Sequence, residues 1–295
     1  MQSMLLVAVI AGVGGMLGWG FGDFFAKTSV DNLGPIRSLV WAHACGSALF
    51  ILAALVQLLI LRGAVPLPEG SAWFWLIGFG ALQMVIYWLV YKGFEKGQLA
   101  VLNPVFASFT GIVALVSIIF FGEPAGIITV VALLALLFGI LLINTDLETL
   151  KSRKLKVLPG LKEIGAATIL AAIWTLGWDK FIGGHNPLSY ALWMYVFMTL
   201  AAVVLAKLLR EKIRGVPAKY RKFLFLTGLG EAIAYLAISW GYSSTNLTAI
   251  VALISGAFSV PTVILAYLFL KERITRTQLL AVGIIIAAIA ALSLS

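Results

Sequence analysis

The sequence is dominated by apolar runs about 20 residues long, separated by short polar turns. A helix rises 1.5 Å per residue, so such a run spans the roughly 30 Å hydrocarbon layer of a bilayer. In lipid the backbone N–H and C=O groups must pair within the chain, which a single run achieves only as a helix. Hydrophobic residues make up 62% of the 295 residues and charged residues 11%, too few to cover a water-facing surface. The sequence therefore predicts an all-α integral membrane protein.

The apolar runs and the turn signals between them predict ten transmembrane helices. Turn-forming residues mark the breaks, as at Gly34-Pro35 and Glu123-Pro124. In the first span, glycines recur every four residues at 14, 18 and 22, so another helix can approach that face closely. The predicted spans lie near residues 5–26, 37–60, 72–91, 98–120, 125–144, 163–182, 188–209, 223–243, 247–270 and 277–294.

The distribution of basic residues predicts the orientation in the membrane. Of the 21 lysines and arginines, all but Arg62 and Lys180 lie in or beside the loops that follow spans 1, 3, 5, 7 and 9. Short cytoplasmic loops carry an excess of Lys and Arg. We therefore expect those five loops inside and both termini outside. The basic residues of the cytoplasmic loops then account for the net charge of +9, which therefore indicates no nucleic-acid partner.

The two halves of the chain share four motifs in the same order. They are Pro35-x5-Trp41 with Pro187-x5-Trp193, Trp19-x2-Gly22 with Trp174-x2-Gly177, Gly78-x-Gly80 with Gly228-x-Gly230, and Phe120–Glu123 with Phe269–Glu272. Each half holds five spans, an odd number, so the second half enters the membrane from the opposite side and makes an inverted repeat. We expect a first repeat at 1–146, a basic cytoplasmic linker at 147–162 and a second repeat at 163–295.

The repeats, the early pair Trp19-Gly20 and the run Phe-Leu-Lys-Glu-Arg before a glycine-containing last helix resemble the EamA-type members of the drug/metabolite transporter superfamily. The stretch from Tyr267 to Gly283 is the best match, and the resemblance covers nearly the whole chain. It implies a ten-helix permease, more often an exporter, with a cavity lined by helices 1, 3, 4, 6, 8 and 9 and with helices 5 and 10 at the periphery. The family often has an Arg about eight residues after the proline of span 2, where this chain has His43. The substrate therefore does not follow from the resemblance.

Glu231 is the acidic residue that the spans place near the middle of the membrane. A carboxylate at that depth costs several kcal/mol unless it faces a cavity, finds a partner or takes up a proton. Exchange of that proton for a bound cation would couple transport to a proton gradient. The alternative is a protonated Glu231 in a structural hydrogen bond between helices. For His43 in span 2, we expect a buried ring bonded to a backbone carbonyl rather than a proton relay.

The candidate substrate-binding residues lie on the spans assigned to the cavity. Tyr235 shares a helix face with Glu231, and aromatic rings beside a carboxylate suit an organic cation or amine. Aromatic residues also form belts at the membrane surface, as we expect for Trp178, Trp240 and Tyr242 near the outer face and for Tyr91 near the inner face, and either role is open for Trp19 and Trp174. The full set of candidates is Glu231, Tyr235, Trp19, Gln83, Tyr87, Trp174, Asn103, Ser255 and Ser259.

The candidate gating residues are helix breakers and charge pairs. A proline inside a span frees a backbone carbonyl and can bend the helix. Charged pairs near span ends could latch two gates in alternation, although such charges also snorkel to lipid headgroups. The candidates are Pro104 in span 4, Pro261 in span 9, the pair Asp23 and Lys27 at the cytoplasmic end of span 1, and the pair Asp179 and Lys180 at the outer end of span 6.

Taken together, these features predict a secondary transporter that moves a small metabolite by alternating access. The expected substrate is an amino acid, amine or organic cation, and protons are the candidate coupling ion at Glu231. The expected partners are that small molecule and the lipid bilayer, without nucleic acid. One chain holds both halves of the cavity, so a monomer suffices. We expect the plasma (inner) membrane of a prokaryote.

Two alternatives remain open. A sugar or nucleotide-sugar permease of the same fold ranks lower, because a phosphate would require Lys or Arg at mid-membrane and none is predicted there. Neutral sugars stay possible, since aromatic rings stack on them. An intramembrane enzyme using Glu231 and His43 is the other alternative, but no catalytic constellation accompanies these residues. The sequence has no phosphate-binding Gly-x4-Gly-Lys-Ser/Thr loop and no metal-ligand motif, so we expect no cofactor.

Overall fold

The computed structural model of the protein describes residues 2–96, 105–143, 159–270 and 275–294, and helix is the regular secondary structure throughout these ranges. Helices α1 to α8 overlap the first eight predicted spans, α9 and α10 overlap the ninth, and α11 overlaps the tenth. Their bounds are α1 Gln2–Leu33, α2 Pro35–Leu59, α3 Ala72–Lys96, α4 Phe109–Ile119, α5 Ile127–Ile143, α6 Leu161–Ile182, α7 Pro187–Leu208, α8 Ala218–Ser244, α9 Thr248–Gly256, α10 Ser259–Leu270 and α11 Arg276–Leu294.

The surface of the helix bundle is apolar, as a lipid-facing surface must be. Large side chains such as Ile127 and Leu59 are 85% and 75% exposed. A soluble protein rarely exposes such residues side by side over so wide an area. Among the described residues, six segments are long and apolar enough to cross a membrane, namely Gln2–Leu33, Pro35–Leu59, Ala72–Gly93, Pro187–Leu208, Ala218–Ser244 and Thr248–Phe269, and three shorter apolar helices accompany them. The prediction of an all-α integral membrane protein is confirmed.

Helix α1 is longer than the sequence predicts, because it continues past residue 26 to Leu33. It ends where Gly34 takes a positive φ of 81° before Pro35. The side chains of Asp23 and Lys27 therefore project from within a helix, not from its end. Lys27 pairs with Asp31, one turn further on, at 3.2 Å. The expected pairing of Lys27 with Asp23 is absent, since Asp31 takes the ammonium group.

The ninth predicted span is interrupted at Ala257 and Phe258, between α9 and α10. Pro261 lacks the N–H that would bond to the carbonyl of Ala257, four residues earlier. The Val260 amide donates to that carbonyl instead, at 2.9 Å. Thr262 donates its hydroxyl to the Phe258 carbonyl at 3.0 Å. A break at Pro261 was expected and is present, whereas Asn103 and Pro104 lie outside the described residues.

Helix α1 lies against α8 with the two backbones almost in contact. A Cβ atom on Gly18 would lie 2.5 Å from the carbonyl oxygen of Gly230, and one on Gly230 would lie 2.5 Å from the oxygen of Gly18. Gly14 and Gly22 face the same helix. The glycine stripe predicted for close approach therefore packs on α8. In a membrane, small residues of this kind let van der Waals contact hold helices together.

The main contacts between helices come in matched sets. Helix α1 packs on α8 and α9, while α6 packs on α3 and α4. Helix α2 packs on α8, while α7 packs on α3. The pairs α2 with α7, α4 with α9, and α5 with α11 complete the arrangement. Exchanging α1–α5 with α6–α11 reproduces these same contacts, which is what two similar units around a two-fold axis produce.

We predict that Gly18→Ala destabilises the protein by roughly 1–3 kcal/mol, because its methyl group would collide with the backbone of α8. Gly78→Ala on α3 is the matched control, since nothing lies within 4 Å of its Cβ position. There the gain in helix propensity leaves stability unchanged or slightly higher. Thermal unfolding of the purified variants in detergent measures the difference. Equal melting temperatures for the two variants would contradict the close α1–α8 contact.

Candidate functional site

Glu231 on α8 is buried, with 2% of its surface exposed, and lies where three helices meet. The hydroxyl of Tyr195 on α7 donates a hydrogen bond to its Oε2 at 2.7 Å. The Nε2 of His43 on α2 lies 3.3 Å from the same oxygen. The carboxyl group thus has two polar neighbours from two other helices, and neither is a permanently charged base.

The protonation of His43 is constrained by its second nitrogen. Nδ1 lies 2.8 Å from the carbonyl oxygen of Leu39, which can only accept, so Nδ1 carries a hydrogen. A neutral ring then presents a lone pair at Nε2 toward the Glu231 oxygen. Two acceptors facing one another repel, so one proton must reside on either the carboxyl group or the ring. The expected bond to a backbone carbonyl is present, and the carboxyl contact is an addition to it.

Aromatic rings enclose this pair. The ring of Tyr195 stacks on His43 at 5.4 Å, and that of Tyr87 meets His43 edge-on at 5.2 Å. The hydroxyl of Tyr235 lies 3.4 Å from that of Tyr87. Glu231 and Tyr235 lie one turn apart on α8, and Glu231 is not among the residues that line the nearby cavity.

A cavity of about 60 Å³ lies beside these rings. Four of the predicted binding residues line it, namely Trp19, Gln83, Tyr87 and Trp174. The remaining lining residues are Asp23, Ile86, Val90, Tyr91, Phe106, Phe109, Ala171, Thr175 and Phe258. Asp23 is the one charged residue among these lining residues. Within the described ranges, no three His, Cys, Asp or Glu residues gather as metal ligands would.

The other predicted binding residues lie away from the cavity wall. Tyr235 is buried just behind it, with its ring edge-on to Trp19 and Trp174 at 5.8 Å in each case. Ser255 is buried on α9 and donates to the Ala252 carbonyl of its own helix at 2.9 Å. Ser259 is buried at the start of α10.

The belt assignment is wrong for Trp178 and Tyr242, and also for Tyr91, which is buried and lines the cavity. Trp178 is fully buried, donates to the Ser239 hydroxyl at 3.0 Å and stacks on Trp174 at 5.5 Å. Tyr242 is also buried, whereas Trp240 is exposed. Trp178 lies one helical turn from the cavity residue Trp174 and belongs to the same buried aromatic cluster. Its position along the span does not show whether it faces this cluster or the membrane surface.

Sequence reasoning gave Asp23 the role of a gating residue and missed Tyr195. Asp23 was placed at a span end, but it lines the cavity. Tyr195 was not considered, since an isolated tyrosine in an apolar span reads as packing. The repeat contained a signal for Tyr195, because the offset that relates Pro35 to Pro187 also relates His43 to Tyr195.

Residues at equivalent places in the two halves meet around the site. Ser47 and Thr199, 152 positions apart, hydrogen-bond to each other at 2.8 Å. Tyr87 and Tyr235, whose hydroxyls approach each other, are 148 positions apart. Gln83 stands at the same offset from Glu231. The chemistry is unequal across the pairs, with an amide opposite a carboxyl group and a tyrosine opposite a histidine.

A second polar cluster lies between the end of α4 and the start of α9. The Ala249 amide donates to Oε2 of Glu123 at 2.8 Å, so a carboxyl group from the first half meets a helix N-terminus of the second. Asp179 on α6 is bonded to the Thr248 side chain. It also lies 3.4 Å from the ammonium group of Lys180. The predicted pair of Asp179 and Lys180 is present and adjoins this junction.

Comparisons with known proteins agree with the helical architecture. The model of the EamA-like transporter family matches the chain twice, over residues 6–145 and residues 161–294. One solved structure, titled only as the crystal structure of a protein, superposes with a TM-score of 0.76 and covers 97% of this chain and 96% of its own. The two sequences are 16% identical, so the likeness shows a shared fold alone. No curated protein sequence matches the chain.

We predict that stability depends on pH through Glu123. Burial raises the pKa of its carboxyl group from 4.5 to about 7, although the Ala249 amide and Lys180 act in the opposite direction. Between these values the folded protein holds a proton that the unfolded chain has released, so the free energy of unfolding falls as pH rises. Glu123→Gln removes this dependence and keeps an oxygen that accepts the amide hydrogen.

Thermal unfolding from about pH 5 to about pH 8 tests this. The wild type loses roughly 1–3 kcal/mol relative to Glu123→Gln over that range. Glu211→Gln, at an exposed carboxyl group, is the control and follows the wild type. Parallel curves for wild type and Glu123→Gln would contradict the buried, proton-holding carboxyl group.

Proposed function

Because the chain belongs to the EamA-like transporter family, we propose that it is a secondary transporter that moves a small amine, amino acid or organic cation by alternating access. The observation that carries the substrate class is an aromatic cavity with a carboxylate and no basic residue among its described lining. Such a cavity attracts positive charge through the ring faces and the carboxylate. Since the family is one of transporters, an intramembrane enzyme is set aside.

The proposed architecture is ten spans in two inverted repeats, at 1–146 and 163–295, joined by the basic linker at 147–162. Three observations support it. The family model matches once in each half. The main contacts between helices are the same when each helix is replaced by its counterpart from the other half. Equivalent residues touch, as with Ser47 and Thr199. Two equivalent halves around a central site can rock between inward-open and outward-open states.

The proposed orientation has both termini outside, in the plasma membrane of a prokaryote, and the excess of Lys and Arg in alternate loops supports it. In a Cys45→Ala background, we predict that an impermeant maleimide labels Ala64→Cys on intact cells and spares Ala218→Cys until the membrane is opened. Both positions are exposed. Ala64 follows α2 and Ala218 is the first residue of α8, so they report on opposite faces. The reverse pattern would place the termini inside.

Proton coupling is proposed for Glu231 with His43. The 3.3 Å contact holds one proton between two groups that cannot face one another unprotonated. Release of that proton leaves a negative charge beside the cavity, which strengthens the binding of a cation there. Proton and substrate therefore favour opposite states of the site, as exchange of one for the other requires.

The gate is proposed at the junction of Glu123 with the start of α9. The carboxyl group and the helix terminus come from different halves, so a rocking motion would separate them. The contact of Glu123 with the Ala249 amide supports this assignment, and the nearby pair of Asp179 and Lys180 adds a charged rim. The break at Ala257 and Phe258, before Pro261, offers a point of bending between α9 and α10. Lys27 is left outside the gate, since it pairs with Asp31.

We predict that Glu231→Gln abolishes the response of transport to a pH gradient. In proteoliposomes, the part of labelled methylammonium uptake that exceeds uptake by protein-free vesicles changes with the imposed gradient for the wild type. The variant retains an oxygen for the Tyr195 hydroxyl, so flux without a gradient persists. Glu163→Gln, at an exposed carboxyl group paired with Lys96 at 2.5 Å, is the control and keeps the response. An unchanged response in Glu231→Gln would remove this residue from the coupling.

A neutral sugar is the second candidate substrate. The side-chain oxygen of Gln83 is buried and has no hydrogen-bond partner among the described residues, so it could accept from a hydroxyl group. Ring faces such as those of Trp19 and Trp174 stack on sugars. A phosphate-bearing substrate is disfavoured, because the cavity would set its negative charge against Asp23. Competition of sugars against methylammonium in the same vesicles separates the two classes.

A further inference from the structure

We propose that Asp23, and not Glu231, holds the positive charge of the substrate, which is a small ammonium compound, and that Glu231 with His43 forms a separate proton site. The inference rests on the proposed transport function and assigns its substrate site. The sequence suggests that Glu231 binds both the cation and the proton. Here Asp23 binds the cation and Glu231 binds the proton.

Asp23 has the position and freedom that a binding carboxylate needs. It lines the cavity and is only partly buried. The nearest lysine along α1, Lys27, is engaged by Asp31 at 3.2 Å. No basic side chain of the described residues pairs with Asp23, so its charge is available to a ligand. A carboxylate in a largely apolar wall gains most when a cation replaces the lost water.

Glu231, in contrast, is closed off from the cavity. Its Oε2 is already occupied by the Tyr195 hydroxyl and faces His43. It is not among the residues that line the cavity, whereas Tyr87, which contacts His43, is. The Tyr87 ring therefore lies both on the cavity wall and against His43, while the Glu231 carboxyl group is buried behind that wall. A proton is small enough to reach Glu231, but an ammonium compound is not.

The wall opposite Asp23 suits an ammonium group. The cavity brings together the rings of Trp19, Tyr87, Tyr91 and Trp174, and Gln83 adds an amide. Aromatic faces attract a cation, and the attraction strengthens when water is excluded. The volume of about 60 Å³ favours a compact group over a bulky one. A carboxylate or phosphate would meet the charge of Asp23 with no compensating base.

The two carboxyl groups interact through space without sharing a ligand. Loss of the Glu231 proton adds a second negative charge and strengthens ammonium binding at Asp23. Binding thus tightens as pH rises, although the ligand never touches Glu231. The titratable groups around Glu231 are His43 on α2, Tyr195 on α7, Tyr87 and Tyr91 on α3, Asp23 on α1 and Tyr235 on its own helix.

Calorimetric titration of the purified full-length protein with tetramethylammonium tests the assignment, at about pH 6 and about pH 8. We expect Asp23→Asn to raise the Kd about tenfold or more, the equivalent of about 1.4 kcal/mol. Glu231→Gln keeps the pH 6 affinity within about twofold and tightens less at pH 8 than the wild type does. Glu211→Gln, at an exposed carboxyl group beyond the end of α7, is the control and binds as the wild type does. The neutral isostere tert-butanol does not compete.

Three results would overturn the proposal, namely wild-type binding by Asp23→Asn, loss of binding at both pH values in a folded Glu231→Gln, or tert-butanol binding as tightly as tetramethylammonium. If Asp23→Asn fails to fold, Asp23→Ser gives a second neutral variant with the same expectation. Transport of sugar without cation binding would overturn the Asp23 assignment and would still support the proposed transport function. Cation binding without flux in proteoliposomes would overturn the proposed transport function and would still support a cation site at Asp23.

Discussion

The approach of α1 to α8 at Gly18 and Gly230 is the contact on which the site depends. Between two helices in lipid there is little hydrophobic gain, so association relies on close packing and small residues. Here the backbones come so near that neither glycine leaves room for a Cβ atom. One turn along, Gly22 of α1 packs beside Glu231. The same contact thus sets the cavity residue Asp23 and the buried carboxyl group next to one another.

The site combines a repeated scaffold with unequal chemistry. Positions that correspond in the two halves face each other, and at the Ser47–Thr199 contact both members are small hydroxyl residues. Next to it, the pairs diverge, since Tyr195 corresponds to His43, and Gln83 lies two residues from the position that the glycine motifs relate to Glu231. A strictly symmetric site would place two carboxyl groups, or two imidazoles, close together in the protein interior, where like charges repel strongly. Because the two halves differ here, the site contains one acid, Glu231, one base, His43, and one hydroxyl donor, Tyr195.

Much of the fold is legible in the sequence, because lipid imposes simple rules. An apolar run must be helical, a proline such as Pro261 must interrupt its hydrogen bonds, and an acid such as Glu231 is conspicuous in an apolar run. The end of α1 was misjudged because Asp23 and Lys27 look like the edge of a span. Their helix continues until Gly34 turns the chain. Tyr195 and Trp178 gave no such signal, since only tertiary packing separates a ring in the core from one at the membrane surface.

The packing of α1 on α8, and of α6 on α3, has a consequence for how the molecule is assembled. Each of these pairs joins a helix of the first half to a helix of the second. A fragment that ends at the linker would therefore leave the glycine face of α1 uncovered, with no complementary surface in its own sequence. The chain is one intertwined unit, in which neither duplicate is a self-sufficient module. A rigid body that moves during transport would be composed of segments drawn from both.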